Sequence, residues 1–213
     1  MISLCRLSLE FSACYVYSPR GVSPTANGSR RLRERVKGCD AHWLARYAMR
    51  VREQAVEHHQ YGDLFGPNVV LIPVPRSVLS SCEASWAAVQ ISLALLHQGL
   101  AAAVWTGLRR QCAVRKSATA PCVARPTVAE HYDSFLVDSS LRTSGRIVLV
   151  DDIITRGRTL LAASMRVREH FPSAQVGAFA LVRTLGLVPD IAKLLDPCRG
   201  VITRAGTDAR REP

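Results

Sequence analysis

The sequence predicts an α/β protein: a doubly wound parallel sheet with an N-terminal strand and helix appendage. Three observations predict it. From residue 68 onward, short apolar runs alternate with helical patterns, the spacing expected of parallel strands joined by right-handed crossovers. Several runs, such as Val69-Val70-Leu71-Ile72 and Ile147-Val148-Leu149-Val150, are continuously apolar, as strands buried on both faces are. At 213 residues and 48% apolar positions, the chain can bury a core without a disulfide or metal staple.

Taken in order, 2–17 partly alternates (Leu7, Leu9 and Phe11 against Ser8 and Glu10) and predicts one or two strands before a turn-rich stretch over 18–29. Helices are expected over 29–36 and 41–58, the second aligning Leu44, Tyr47, Ala48, Val51 and Ala55 on one face. These segments, residues 1–67, form the appendage and a helical layer. The core spans 68–205. Within it a buried strand runs over 69–74, a helix over 83–96 and a weak strand over 100–104. Residues 106–125 show no period and mix Arg with Gln, Ser, Thr and Pro, which suits a mobile functional loop better than an idle connection. An edge strand over 132–137, a strand over 146–150, a helix over 159–169 and a strand over 175–182 follow, and 206–213 reads as a flexible tail.

Charge and cysteine usage narrow the function classes. Lys+Arg 28 against Asp+Glu 17 gives +11, and lysine appears only at Lys37, Lys116 and Lys193. Arginine's fixed fork suits phosphate, so an anionic partner is expected. Aromatics are 6% of the chain and do not interleave with the basic clusters, against a base-stacking platform. The seven cysteines are scattered without a C-x-x-C pair, which argues against a zinc site and for reduced thiols in a cytoplasmic protein. The N-terminal stretch carries Glu10 and lacks signal-peptide form. The apolar region 84–105 is broken by Gln90, Ser92, His97 and Gln98, so no membrane span is expected.

The chemistry is concentrated in Arg146-Ile147-Val148-Leu149-Val150-Asp151-Asp152-Ile153-Ile154-Thr155-Arg156-Gly157-Arg158-Thr159. A parallel sheet binds ligands beyond the carboxyl ends of its strands, where Asp151 and Asp152 are expected to emerge. Just after them Gly157 permits a tight turn, the following helix offers its N-terminal dipole, and Thr155 and Thr159 add hydroxyls. This is an anion cup beside a carboxylate pair, and a phosphorylated sugar satisfies both. The plain alternative is an ordinary strand end, turn and helix start. A receiver-type phosphoacceptor would need a separate acidic pair after the first strand and a late lysine, and neither is found.

This run resembles the PRPP-binding motif of the type I phosphoribosyltransferases. The resemblance implies that Asp151 and Asp152 are the catalytic pair, holding the ribose hydroxyls and supporting Mg2+, and that Thr155, Arg156, Gly157, Arg158 and Thr159 wrap the 5′-phosphate. It departs from the family at Arg156 and Arg158, where small residues are common. Leu71-Ile72-Pro73-Val74-Pro75-Arg76-Ser77 resembles the Val-Pro-Val-Pro segment of the ComF-like branch, implying pyrophosphate contacts from Arg76 and Ser77. The Arg-rich 109–116 segment is similar to that family's closing loop, with Arg115 and Lys116 facing the leaving pyrophosphate. Cys5 and Cys14, without partner cysteines nearby, are not expected to rebuild the N-terminal zinc ribbon usual in that branch. The expected activity is transfer of a phosphoribosyl group to an unidentified acceptor, as in nucleotide metabolism. A non-catalytic PRPP or nucleotide sensor, or a DNA-handling protein, is the alternative. Single-stranded DNA and a second copy of the chain stay open as partners.

Overall fold

The protein is described here from a computed structural model, over residues 8–78, 86–115, 125–141, 143 and 145–213. Its frame is a mixed, mostly parallel seven-stranded sheet in the order β3-β2-β6-β7-β1-β8-β9, with helices on both faces.

The chain enters through β1 (Ser8–Tyr17), which lies parallel to β7 (Gln175–Thr184) and antiparallel to β8 (Leu195–Ala205). The N-terminal strand is therefore an inner strand of the sheet, and the predicted appendage is corrected on this point. Leu9, Phe11 and Ala13 face one side and are almost fully buried, and Cys14 is enclosed on the other. Such two-sided burial makes a strand structural rather than peripheral.

Helix α1 (Pro24–Lys37) starts where the Ser23 hydroxyl accepts a bond from Ala26 N at 3.1 Å and Pro24 occupies the first turn. After Gly38, Asp40 caps α2 (Ala41–Arg52) by accepting from Trp43 N at 3.2 Å. The expected 41–58 helix loosens at Glu53 into a π-helical turn over Glu53–Glu57. Strand β2 (Val69–Pro73) is buried throughout. It crosses by α3 (Ala87–His97) to the two-residue β3 (Ala103–Val104), parallel to it. Strand β6 (Arg146–Ile154) crosses by α5 (Arg158–His170) to β7, also in parallel.

Helices α1, α2 and α3 cover one face, with Leu32, Val36, Leu44, Val51, Ile91 and Leu95 against Val148, Val150 and Phe179. Helix α5 covers the other, with Leu160, Leu161, Ala163 and Val167 against Ile147, Leu149, Ala178 and Ala180. The β2–β3 and β6–β7 crossovers thus leave in opposite directions on opposite faces. Their divergence lies between β2 and β6, which pair in register from Val69↔Arg146 to Pro73↔Val150. Such a switch point opens a crevice beyond the strands' carboxyl ends.

Two further expectations change. The predicted strand over 132–137 is a short helix, α4 (Val128–Asp133), followed by β5 (Phe135–Val137). Thr127 and Glu130 close a reciprocal capping box there, a pattern that starts a helix despite an apolar run. Strand β5 pairs antiparallel with β4 (Leu108–Arg110), so the stretch predicted as one loop from residue 106 begins as a hairpin arm. Its residues 116–124, Lys116 among them, lie outside the described residues. The predicted tail is instead ordered from Asp208 to Glu212 as β9 (Asp208–Glu212), paired antiparallel with β8. A tight turn at Gly206, φ +62°, returns the chain, and Ala209 is buried in the α5-side core.

Candidate functional site

The site is built where β6 outlasts its neighbour β2. Successive strand residues face opposite sides, and here Leu149 and Val150 belong to opposite cores. The alternation sends Asp151 toward the α5 side and Asp152 toward the α1 side. The adjacent carboxylates straddle the end of the sheet. Asp151 Oδ1 accepts from Asp152 N at 2.8 Å, and Asp152 Oδ1 accepts from Ile153 N at 2.7 Å, so each side chain leans along the strand toward its carboxyl end.

Their surroundings differ. Lys37, at the end of α1, places Nζ 2.5 Å from Asp152 Oδ2. Burial pushes the Asp151 carboxyl well above the usual carboxylate range, and the Asp152 charge adds to the shift. A group held so is one that a cation or hydroxyl donors would stabilise.

Beyond β6 the chain turns through Thr155, Arg156 and Gly157. Gly157 has φ +85° and opens α5 with no side-chain cap. The first amides of that helix therefore lack the side-chain acceptor that caps α1, α2 and α4, and with the helix dipole they present an anion-binding end. A Cβ on Gly157 would lie 2.7 Å from Ile202 Cδ1. Thr155 Oγ1 is 3.3 Å from Thr184 Oγ1 at the end of β7, and Thr159 Oγ1 is 3.4 Å from His131 Nε2.

Arg156 and Arg158 both turn to Asp208. Arg158 bonds it through Nε and, at 2.6 Å, Nη2, while Nη1 donates to Pro126 O at 3.2 Å. Arg156 Nη1 reaches Oδ2 at 2.5 Å. The Arg158 guanidinium is thus committed to its own protein, and only its backbone amide remains for the cup. Arg156 stays half exposed. These contacts hold the Asp208 carboxyl well below its ordinary range, Arg158 being the largest cause.

Arg76 and Ser77 leave β2 beside Asp151 and Asp152, because Pro73 pairs with Val150 and Val74 N donates to Val150 O at 2.8 Å. The segment is tied down from the β4 side. Arg110 Nε donates to Arg76 O at 2.6 Å, and Val114 N donates to Ser77 O at 2.9 Å. Arg115 follows directly and is exposed. Two of the predicted groups, Arg76 with Ser77 and Asp151 with Asp152, are therefore brought to one rim, with Arg115 connected to it through Val114.

Sequence reasoning missed four contributors. Lys37 was named among the three lysines and given no place in the site. Arg110, nine-tenths buried, bonds Ser134 Oγ as well as Arg76 O, stands 3.2 Å from His131 Nδ1 and packs 4.3 Å over the Phe135 ring. Burial lowers it to about 10, offset in part by attraction to Asp151. His131 is pushed down to about 4 by burial and then by Arg110 and Arg158, so it is neutral at pH 7. Asp208 lay in the presumed tail. Only the Thr127-Val128-Ala129-Glu130 cap was a readable signal for the helix that carries His131.

The carboxylate pair also fits a hard divalent cation. Its donors are oxygens, the kind Mg2+ prefers.

No family model matches the chain, and no curated protein matches it. Among solved structures, adenine phosphoribosyltransferase from Saccharomyces cerevisiae, complexed with an imino-altritol bisphosphate and adenine, is similar at 16% identity, covering 65% of this chain and 68% of that one with a TM-score of 0.36. Hypoxanthine phosphoribosyltransferase from Trypanosoma cruzi is similar at 16% identity, covering 76% and 75% with a TM-score of 0.35. Overlap at this level fixes neither ligand nor chemistry for this chain.

Proposed function

We propose that the chain binds PRPP with Mg2+ and transfers its phosphoribosyl group, with loss of pyrophosphate, to an acceptor. The observation that carries this reading is the sequence of parts along one crevice: the carboxylate pair at the end of β6, then an uncapped glycine turn opening α5. One part suits vicinal hydroxyls and the other a phosphate, and a pentose phosphate carries both.

In this reading Asp151 and Asp152 accept hydrogen bonds from the ribose 2′- and 3′-hydroxyls, and Lys37 yields Asp152 Oδ2 to the ligand. The amides of 156–159, with the Thr155 and Thr159 hydroxyls, hold the 5′-phosphate, and the exposed nitrogens of Arg156 add charge at its edge. Arg76 and Ser77 meet the pyrophosphate, while Arg115 and Lys116 close over it. When bound, Mg2+ neutralises the leaving pyrophosphate's charge. Breaking the bond from ribose C1 to the pyrophosphate oxygen leaves an oxocarbenium-like centre. The negative charge of the carboxylate pair beneath the ring favours that centre, and the acceptor's lone pair completes the new bond. The Pro-Val-Pro-Arg-Ser exit of β2 supports the ComF-like branch as the narrower assignment.

A non-catalytic, polyanion-handling role is the second reading. One observation favours it: Trp43 stacks with Arg35 at 3.5 Å and Arg46 at 5.2 Å, an aromatic and arginine grouping that sequence order had not revealed. Calorimetric titration with PRPP and Mg2+, repeated with single-stranded DNA at two salt concentrations, separates the two. Saturable PRPP binding lost in Asp151→Asn/Asp152→Asn supports the first. Heat only with DNA, falling steeply with salt, rejects it.

A further inference from the structure

The C-terminal strand lies apart in sequence from every part of the crevice, yet two of its side chains close on the turn that the proposed function assigns to phosphate. At the tip of the β8–β9 hairpin, Asp208 holds Arg158 by a two-nitrogen fork and Arg156 by one bond, and its own Oδ1 accepts from Ala209 N at 2.6 Å. Three residues on, Arg211 donates to Ile154 O at 3.1 Å and to Thr184 O at 2.8 Å. The first set of contacts grips the turn on both sides of Gly157, and the bond to Ile154 O grips the chain just before the turn.

We propose that Asp208 is a positioning residue for phosphate, and that β9 clamps the glycine turn in the form that presents its amides. This rests on the phosphate reading of that turn. Three features carry it beyond ordinary packing. The turn is uncapped, so no local side chain fixes its amides. The two arginines within it would repel each other and draw a phosphate off the amides toward their own tips, unless a fixed carboxylate neutralised them. The Arg158 side chain is 13% exposed and that of Asp208 26%, so the fork is shielded enough to keep its geometry. A bidentate pair fixes direction as well as distance, and Arg158 is tied further to Pro126 O through Nη1. Asp208 thereby turns Arg158, which would crowd the cup, into a strut behind it, and holds Arg156 at its edge.

The test uses the full chain and two readouts. Binding of ribose 5-phosphate and of inorganic phosphate is measured for wild type, Asp208→Asn, Arg158→Gln and the double variant. Amide hydrogen exchange is followed over 155–159 without ligand. The expected result is at least fivefold weaker ribose 5-phosphate binding in Asp208→Asn with its melting temperature within a few degrees of wild type, no further loss in the double variant, and faster exchange confined to the turn. Unchanged or tighter binding overturns the proposal, since Asp208 would then be idle or a competitor for the phosphate position. Unchanged exchange overturns it as well. Should wild type bind neither probe, the phosphate reading fails and the clamp is judged on exchange alone. Should Asp208→Asn not fold, Arg156→Gln, at the solvent edge, breaks one arm only and must still quicken exchange at 155–157.

Discussion

Asp151 and Asp152 show how one residue's environment departs from its neighbour's. They are adjacent, yet the strand's alternation gives Asp152 a lysine at 2.5 Å and leaves Asp151 part-buried with its pKa raised. Replacing both with asparagine is expected to weaken PRPP binding by about 1.5–3 kcal/mol, the worth of charge-assisted bonds. The thermal midpoint should stay close to wild type, because the Lys37 bridge lost is half exposed and the Asp151 charge was costly to hold. Calorimetry and a thermal melt check both halves.

His131 offers a second measurement at this scale. Its folded value of about 4 lies below the usual 6.5, so between these values the unfolded chain binds a proton that the folded one refuses. Stability should therefore rise with pH across that window, by up to about 1.4 kcal/mol per unit from this group, and be lost as pH falls from 6.5 toward 4. Denaturant melts at pH 4.5 and 6.5 should show a smaller difference in His131→Gln than in wild type. An equal difference would remove His131 as the cause.

Among the elements, the β6–turn–α5 unit concentrates the constraint. Its glycine adopts φ +85°, and the space a Cβ would need is filled by fully buried Ile202. Gly157→Ala should therefore cost about 1–2 kcal/mol from the left-handed backbone alone, and more from displacing Ile202. Chemical denaturation compared with Gly28→Ala, whose Cβ meets nothing within 4 Å, gives the contrast. This element was legible: an apolar run, two carboxylates and a glycine before a helical pattern mark strand, rim and turn without tertiary information. The α4 helix was not read, because its six residues are too few for a period and only its capping box declares it.

The whole molecule gathers at one rim what the sequence spreads over three regions: the exit of β2, the end of β6 and the hairpin arm at β4. Arg110 and Val114 secure the first to the third through Arg76 O and Ser77 O. If residues beyond Val114 close over pyrophosphate, Arg115→Ala/Lys116→Ala should lower Mg2+-dependent PRPP affinity or turnover several-fold. Affinity for ribose 5-phosphate, which lacks the pyrophosphate, should be untouched. Equal losses for both ligands would assign these charges to general electrostatic attraction instead.

By itself the sequence determined the alternation of strand and helix, the mostly parallel sheet and the carboxylate and glycine positions at the end of β6, because periodicity and turn chemistry are local. It could not place β1 inside the sheet, nor foresee that Asp208 and Arg211 return to the glycine turn from some fifty residues away. Those depend on strand pairing between distant segments and on the ordering of a short, strongly charged strand, Asp208-Ala209-Arg210-Arg211-Glu212, of which only Ala209 is buried. Its local composition reads as solvent-facing. Only the sheet edge beside it and the arginines waiting in the turn make ordering it favourable, and neither is visible until the chain has folded.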